Sequence, residues 1–483
     1  MNIPKKVEDI LDKFQKNKFE AYLVGGCVRD LLMKRKPKDW DIATNANPDQ
    51  IQKLFPKSFC NNDFGTVNIE GVEITPFRTE EKYTDKRHPD KVEWAETIEE
   101  DLSRRDFTIN AVAMDKKGGI IDPYSGRKDI RNKIIKAVGN AKERFSEDAL
   151  RMMRAVRFLA QLNSSAQGGP SSGWKIEPKT KRAIKENASW LKVISKERIR
   201  DEFLKIIMSG AAAKGIELLK ELGLLSYIIP ELQESIGIAQ NKHHIYDCYE
   251  HALLSLKFAA EKGFNKYVRL AALFHDIGKP KTKKGRGENA TFYNHEVVGA
   301  KITFQIMKRL RFSKKEIEKV VKLVRYHLFY YNVGEVTESS VRRLLRKVGQ
   351  DSIEELLQLR QADRIGSGCP KAEPYKLRHL KYVIEKVSKD PISFKMLKVS
   401  GEDIMKTLNI KPGPKVGRIL DILLDLVLIN PGNNNKSFLE KEIEKIRQIS
   451  DEKLEKKARK ARERINQIEI KKDQMVKKKY WVT

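Results

Sequence analysis

The sequence predicts an α+β chain, with a mixed strand-and-helix region over residues 1–145 followed by mostly helical regions to its end. Two patterns predict this. Short β-rich runs at Ala21–Val24, Thr66–Ile69, Val72–Thr75 and Ala111–Met114 are confined to the first region and separated by turn residues. From Glu147 onward the strand signals fade and apolar residues recur at helical spacing. The chain has 483 residues with 40% hydrophobic residues, enough for several domains with real cores and too apolar for a disordered polymer.

Punctuation divides the helical part. A polar Gly/Ser loop spans Asn163–Gly173, a His-rich character begins near Gln240, and Pro412-Gly-Pro414 and Pro431-Gly-Asn-Asn-Asn435 mark a C-terminal region. The expected organisation is a head at 1–145, a helical neck and body at 146–235, a His/Asp domain at 236–400 and a basic helical tail at 401–483. In the tail, Lys441–Thr483 carries 15 Lys and Arg against 8 Asp and Glu, with an apolar stripe at Leu454, Ala458, Ala461, Ile465 and Ile468. That pattern suits both a solvated helix packed by its stripe and an RNA-gripping arm.

Lys and Arg number 96 and Asp and Glu 66, a net charge of +30. Such a surplus favours a polyanion bound through phosphate contacts and counterion release. The longest apolar run, Ile419–Ile429, is interrupted by Asp421 and Asp425 and falls short of the ~20 residues that span a bilayer. No amphipathic anchor points to a membrane surface, so nucleic acid is the expected partner. The scattered cysteines and the opening Met1-Asn-Ile-Pro-Lys-Lys, which lacks an apolar signal core, make a reducing cytoplasm the expected location.

The first constellation is Leu23-Val-Gly-Gly-Cys-Val-Arg-Asp30 followed by Lys38-Asp-Trp-Asp-Ile42. A strand entering Gly25-Gly26 and then a helix lets backbone amides approach a triphosphate, because no Cβ intervenes. Asp39 and Asp41, read as i and i+2 of one strand, point to the same side. Two carboxylates that close repel unless a hard cation lies between them, and Mg²⁺ is the expected ion. Glu73, in the strand-like Val72-Glu-Ile-Thr75, supplies a third carboxylate. Paired Mg²⁺ ions in such a set serve in-line displacement at a nucleotide phosphate.

LVGGCVRD…DWDIAT resembles the signature of polymerase-β-like nucleotidyltransferases, specifically the bacterial class II tRNA nucleotidyltransferases and their poly(A) polymerase relatives. The resemblance continues through Arg104-Arg-Asp-Phe-Thr-Ile-Asn-Ala111, Ile121-Asp-Pro-Tyr124, Arg144–Arg154 and Ser195-Lys-Glu-Arg-Ile199, about the first 225 residues. It implies a nucleotidyltransferase head with Asp39, Asp41 and Glu73 as catalytic carboxylates. It further places Gly25, Gly26, Arg29, Arg105, Asp106, Asn110, Asp148, Arg151 and Arg154 about the nucleotide. Asp106 is expected to accept from a ribose hydroxyl. Asp148 and Arg151 are expected side by side at i and i+3 of a helix. Aspartate is acceptor-only and arginine donor-only, which suits the amino donor and ring-nitrogen acceptor of C and A and refuses U and G. Phe77-Arg-Thr-Glu80 through Tyr83, Asp85, Arg87, His88 and Pro89 looks like the family's flexible loop, which argues against an enzyme adding C alone.

The second constellation is His251, His275-Asp276 and Asp363, in the order H…HD…D with Gly278-Lys279 behind the pair. Imidazole and carboxylate suit a divalent transition metal, and the set resembles the HD phosphohydrolases. A metal there can activate water against a phosphate ester. His295 and His327 either complete a second metal position or are packing histidines.

The expected activity is therefore untemplated CCA addition to tRNA from CTP and ATP, with a second phosphohydrolase activity on 2′, 3′ or cyclic phosphate ends. An A-adding enzyme or poly(A) polymerase shares the head motifs. A hydrolase that uses the head only to dock RNA is the reading from another class. No membrane association and no obligate protein partner is expected.

Overall fold

The computed structural model describes residues 3–60, 65–81, 91–164, 173–240, 245–285, 289–388 and 393–482. The expected α+β fold, a nucleotidyltransferase-like head followed by helical regions, is what the chain adopts. By contact density it forms two units, Met1–Leu328 with Glu354–Ala372, and Phe329–Ile353 with Glu373–Thr483.

The head contains β1 (Ala21–Val24), β2 (Asp41–Thr44), β3 (Phe59–Cys60), β4 (Val67–Ile69), β5 (Val72–Pro76), β6 (Arg78–Glu81), β7 (Lys91–Trp94), β8 (Ala113–Met114) and β9 (Ile120–Ile121). Seven of them form one sheet in the order β3-β4-β5-β2-β1-β8-β9, and β6 pairs with β7 as a separate ribbon. β2 lies antiparallel to β1 and parallel to β5, with Asp41 opposite Glu73 and Ile42 opposite Ile74. Alternation then sorts the faces. Leu23, Ile42 and Ile74 bury against Val7, Leu11 and Phe14 of the helix Lys5–Lys16, whereas Asp41 and Glu73 lie on the other side.

Two local expectations change. Asp39 sits in a bend ahead of β2, not on the strand with Asp41; the strand begins only at Asp41. The run Ala111–Met114 is strand only at Ala113–Met114, because Thr108–Asn110 forms a 3₁₀ turn. That turn is fastened at its start by Thr108, whose hydroxyl donates to Asp129 at 2.6 Å. Of the loop residues expected after β6, those at 82–90 lie outside the described residues, as does 165–172 of the Gly/Ser loop.

Outside these two sheets, the described residues form one more strand pair, Ile134–Ile135 parallel to Lys175–Ile176, and from Leu150 onward they are mostly helical. The helix Leu150–Leu162 is buried along nearly all its length and packs on Lys196–Ile207 and Ala212–Glu221. Beyond these, Cys248–Glu261, Lys266–Phe274, His295–Arg309, Lys314–Tyr326 and Gln350–Gly366 gather the His/Asp residues. Gly366 explains how the last of these helices comes so close. A Cβ there would stand 2.1 Å from Ser255 Oγ and 2.9 Å from the His251 carbonyl.

In the other unit, Pro414–Ile429 and Asp451–Lys479 share a core of Ile419, Leu423, Val427 and Leu454 with the helices Gly401–Leu408 and Lys436–Arg447. The tail stripe is buried at Leu454, Ala458 and Ala461. Among the described residues no helix is long and apolar enough to cross a membrane.

The site carboxylates ride on the packed backs of β2 and β5. Ile74→Ala is expected to cost about 2–4 kcal/mol, measured as faster hydrogen exchange of the β2 and β5 backbone amides.

Candidate functional site

A cavity of about 1150 Å³ opens over the head sheet and extends along the helices Leu150–Leu162 and Lys196–Ile207. Its wall includes Gly25, Gly26, Arg29, Asp39, Asp41, Glu73, Arg105, Asp106, Asn110, Asp148, Arg151 and Arg154, so every site residue expected in the head and neck opens onto one space.

The turn after β1 brings the backbone to the carboxylates. Gly25 has φ +73°, a conformation costly for any residue with a Cβ, and a Cβ would lie 3.1 Å from Arg105 Nη1 and 3.5 Å from Asp41 Oδ2. Asp41 is pushed up to about 6 by burial and by the charges of Glu73 and Asp39, with Arg105 pulling the other way. A carboxylate so destabilised by like charge is suited to a cation. The oxygen-only donors Asp39, Asp41 and Glu73 fit Mg²⁺ in kind. They are not drawn into a tight cluster, since among the described residues the three-ligand groups within 4.8 Å all lie in the helical region.

The arginines are held by a carboxylate that the sequence reading passed over. Asp101 is fully buried, takes Nε and Nη2 of Arg104 at 3.0 and 2.7 Å, and takes Nη2 of Arg105 at 2.9 Å. Burial opposes its charge, but Arg105 and Arg104 keep it below the usual carboxylate range. The signal was present as an i, i+3 and i+4 spacing at the end of the helix Ile98–Ser103.

Asp106 borders the cavity with both of its oxygens engaged by neighbouring groups. Its Oδ1 accepts from the Phe107 amide at 2.8 Å and from Asn110 Nδ2 at 3.1 Å, and its Oδ2 accepts from Arg154 Nε at 2.7 Å. Burial alone would raise Asp106; Arg154 and Asn110 hold it at about 2. Asn110 Oδ1 in turn accepts from Arg29 Nη1 at 3.0 Å, and Arg29 is braced by Asp30 at 2.8 Å. Asp106 therefore fixes Asn110 and Arg154 at the cavity wall, on the side of the site where the ribose contact is expected.

The pairing expected for Asp148 and Arg151 is also corrected. Asp148 is extended, φ −140° and ψ 103°, at the break between the helices Ala141–Glu147 and Leu150–Leu162, so the two are not neighbours on one helix. At the break, Asp148 Oδ1 accepts from the Leu150 amide at 3.1 Å, in the first turn of the second helix. Arg151 is spent on Glu147 and on the carbonyls of Arg144 and Arg104 at 3.0 and 2.9 Å. Asp148 Oδ2 accepts instead from Arg198 Nη2 at 2.7 Å. Arg198 lies within Ser195–Ile199, a segment whose resemblance implies no particular role for it, and no spacing rule links it to a residue fifty positions earlier.

In the helical region the residues expected to bind metal converge. His251 Nε2 and His275 Nε2 are 2.8 Å apart, and both face Asp276 Oδ2, at 3.2 and 3.3 Å, and Asp363 Oδ1, at 3.5 and 3.7 Å. Asp276 Oδ1 faces His295 Nε2 at 3.4 Å and His327 Nε2 at 3.7 Å. The histidines 275, 295 and 327 use Nδ1 toward the carbonyls of Ala272, Phe292 and Val324, which aims Nε2 inward. Burial and His275 push His327 down to about 3, so its ring is neutral at neutral pH and Nε2, with Nδ1 turned to the Val324 carbonyl, is free of a proton. Burial opposes charge on His275, yet Asp276 and Asp363 lift it to about 10, so the centre favours a positive charge. The donor set fits a divalent transition metal, with Asp276 between two positions.

The chain matches the sequence pattern of the poly A polymerase head domain over residues 21–136, of a probable RNA and SrmB-binding site of polymerase A over 173–236, and of the HD domain over 245–367. It is 35% identical over 470 residues to a CCA-adding enzyme of Ligilactobacillus salivarius (strain UCC118), covering 94% of this chain and 99% of that protein. It is 46% identical over 228 residues to a CCA-adding enzyme of Geobacillus sp. (strain WCH70), covering 46% of this chain and 54% of that one; there it spans about half the relative's length. Among solved structures, the CCA-adding enzyme of Bacillus stearothermophilus in complex with CTP aligns with a TM-score of 0.59 and 28% identity, over 92% of this chain and 98% of that one.

The raised Asp41 makes a testable demand. Its folded form takes up a proton near pH 6 and its unfolded form near 3.9, so ionised Asp41 weakens the fold above pH 6, and this cost fades as pH falls toward 4. Asp41→Asn is expected to raise Tm in metal-free buffer at pH 8, with the gain shrinking toward pH 4, by differential scanning fluorimetry.

Proposed function

We propose, from the premise that this chain belongs to the family of CCA-adding enzymes, that it adds C, C and A to the 3′ end of tRNA using CTP and ATP. The observation that carries the reading is the parallel register of Asp41 and Glu73 in the same cavity as Asp148, a catalytic set and a base-reading set in one space. Mg²⁺ held by Asp39, Asp41 and Glu73 would supply activation of the 3′ hydroxyl and neutralise the leaving pyrophosphate.

The chain's own groups do the remaining work. Gly25 and Gly26 let the backbone approach the triphosphate, and Arg105, braced by Asp101, offers a planar donor to phosphate oxygens. Arg29, Asn110 and Arg154 form a network around Asp106 that fixes the nucleotide's surroundings. Asp148 presents an acceptor to the amino group that C and A share and repels the carbonyl of U or G. Arg151 shapes the wall beside it.

A second reading concerns the HD region. Asp276, with one oxygen toward His251 and His275 and the other toward His295 and His327, supports a two-metal phosphohydrolase centre acting on 2′, 3′ or cyclic phosphate ends. Bound divalent metal there would supply an activated water. Lys279, buried and 2.6 Å from Asp276, helps balance its charge. The basic helix Asp451–Lys479 buries Leu454, Ala458 and Ala461 of its apolar stripe and leaves most of its charged positions exposed, which supports tRNA binding by that unit.

Two experiments test these readings. Purified protein is incubated with tRNAs lacking CCA, lacking the last two nucleotides, or lacking only the final A, with one labelled NTP at a time. CMP should enter the first two and AMP the third; label from ATP on the third alone would identify an A-adding enzyme. His275→Ala with Asp276→Ala should abolish metal-dependent hydrolysis of a 2′,3′-cyclic phosphate and leave CMP and AMP addition within a few-fold of normal. Loss of transfer in a folded double variant would make the HD region part of the transferase.

A further inference from the structure

We propose that Arg198 is a positioning residue for base selection, acting through Asp148. The inference rests on the reading of Asp148 as the group that recognises the incoming base.

A carboxylate can discriminate C and A from U and G only if its acceptor is held in a fixed direction. Asp148 lies at a helix break, in extended conformation, where no regular backbone frame orients it. Its Oδ1 is committed to the Leu150 amide at 3.1 Å. Its Oδ2 is fixed by Arg198 Nη2 at 2.7 Å, a charge-assisted bond between two partly buried side chains, 16% and 27% exposed. Arg151 cannot take over this duty in the arrangement seen, since its guanidinium is engaged by Glu147 and by the Arg144 and Arg104 carbonyls.

Arg198 itself comes from the helix Lys196–Ile207, which packs along Leu150–Leu162. One turn further on, Glu202 accepts from Arg157 at 3.1 Å, a second tie between these helices. The two helices are thus joined without Arg198, and its guanidinium is available for a duty other than joining them. Arg198 also lines the cavity, so the guanidinium that fixes Asp148 stands beside the space a nucleotide would fill. Its Nη1 is buried with no hydrogen-bond partner among the described residues, so the ion pair with Asp148 is what sets the two side chains as one unit.

The test compares kcat/KM for UTP and CTP on tRNA lacking CCA, for Asp148→Ala, Arg198→Met, Arg198→Lys and the double variant Asp148→Ala with Arg198→Met. Arg198→Met should raise the UTP to CTP ratio tenfold or more, with a smaller change in kcat for CTP. Arg198→Lys, which keeps a charge but not the planar fork, should fall between it and the parent. The double variant should be no less selective than Asp148→Ala alone, because both changes remove one device. If Asp148→Ala relaxes selection and the folded Arg198→Met does not, Arg198 is only structural and the inference is overturned. If Asp148→Ala itself leaves U excluded, the base-reading premise fails first. Arg198→Gln, smaller and neutral, provides the same comparison should the methionine variant lose its fold by thermal melt.

Discussion

The parallel pairing of β2 with β5 is the constraint on which the head depends. It sets Asp41 beside Glu73, so two carboxylates must share a partly buried strip of sheet. Burial, with the charge of Glu73 added to it, raises Asp41 to about 6, and the surroundings are arranged to tolerate it: Gly25 removes any side chain from the approach, and Arg105 brings one positive charge toward the carboxylates. Arg105 is in turn anchored by the fully buried Asp101. A site built this way is costly without a cation, which is the expected condition of a site that works with one.

Positive charge on this wall of the cavity is ordered in pairs. Asp101 fixes Arg104 and Arg105, Asp106 fixes Arg154, Glu202 fixes Arg157, and Asp148 is fixed by Arg198. Each arginine has a carboxylate that limits its rotamers and offsets the desolvation of its charge. An arginine so held loses less entropy on meeting a phosphate than one free in solvent. The surplus of +30 over the whole chain draws in a polyanion, whereas these pairs determine where its chemistry occurs.

The helical region follows a different rule. Its metal-type ligands come from five helices, and their convergence requires close backbone contact, as at Gly366 against Ser255 and the His251 carbonyl. Three of the histidines use one ring nitrogen on a carbonyl of the preceding turn, which leaves the other for the centre. His295 and His327, equally readable as packing residues from sequence, acquire a shared partner in Asp276 only when the helices assemble.

The sequence by itself determined the α+β order, β1 with its glycine turn, and the identity of nearly every group around the cavity, because those signals are local: alternation, a Gly pair, carboxylates two residues apart. It also determined the His and Asp set, whose order along the chain survives folding. Tertiary structure decided the partnerships. Asp148 met Arg198 instead of Arg151, since the chain is extended at Asp148 and no single helix joins the latter two. Asp106 turned to Arg154 and Asn110, and Asp101 proved to be the anchor of the arginine pair. A side chain's residue type is written in the sequence, but which of several competing charges it meets depends on the packing of segments far apart in the chain. A charge buried by that packing is costly unless it meets a partner, so the partner is chosen by which segments come together.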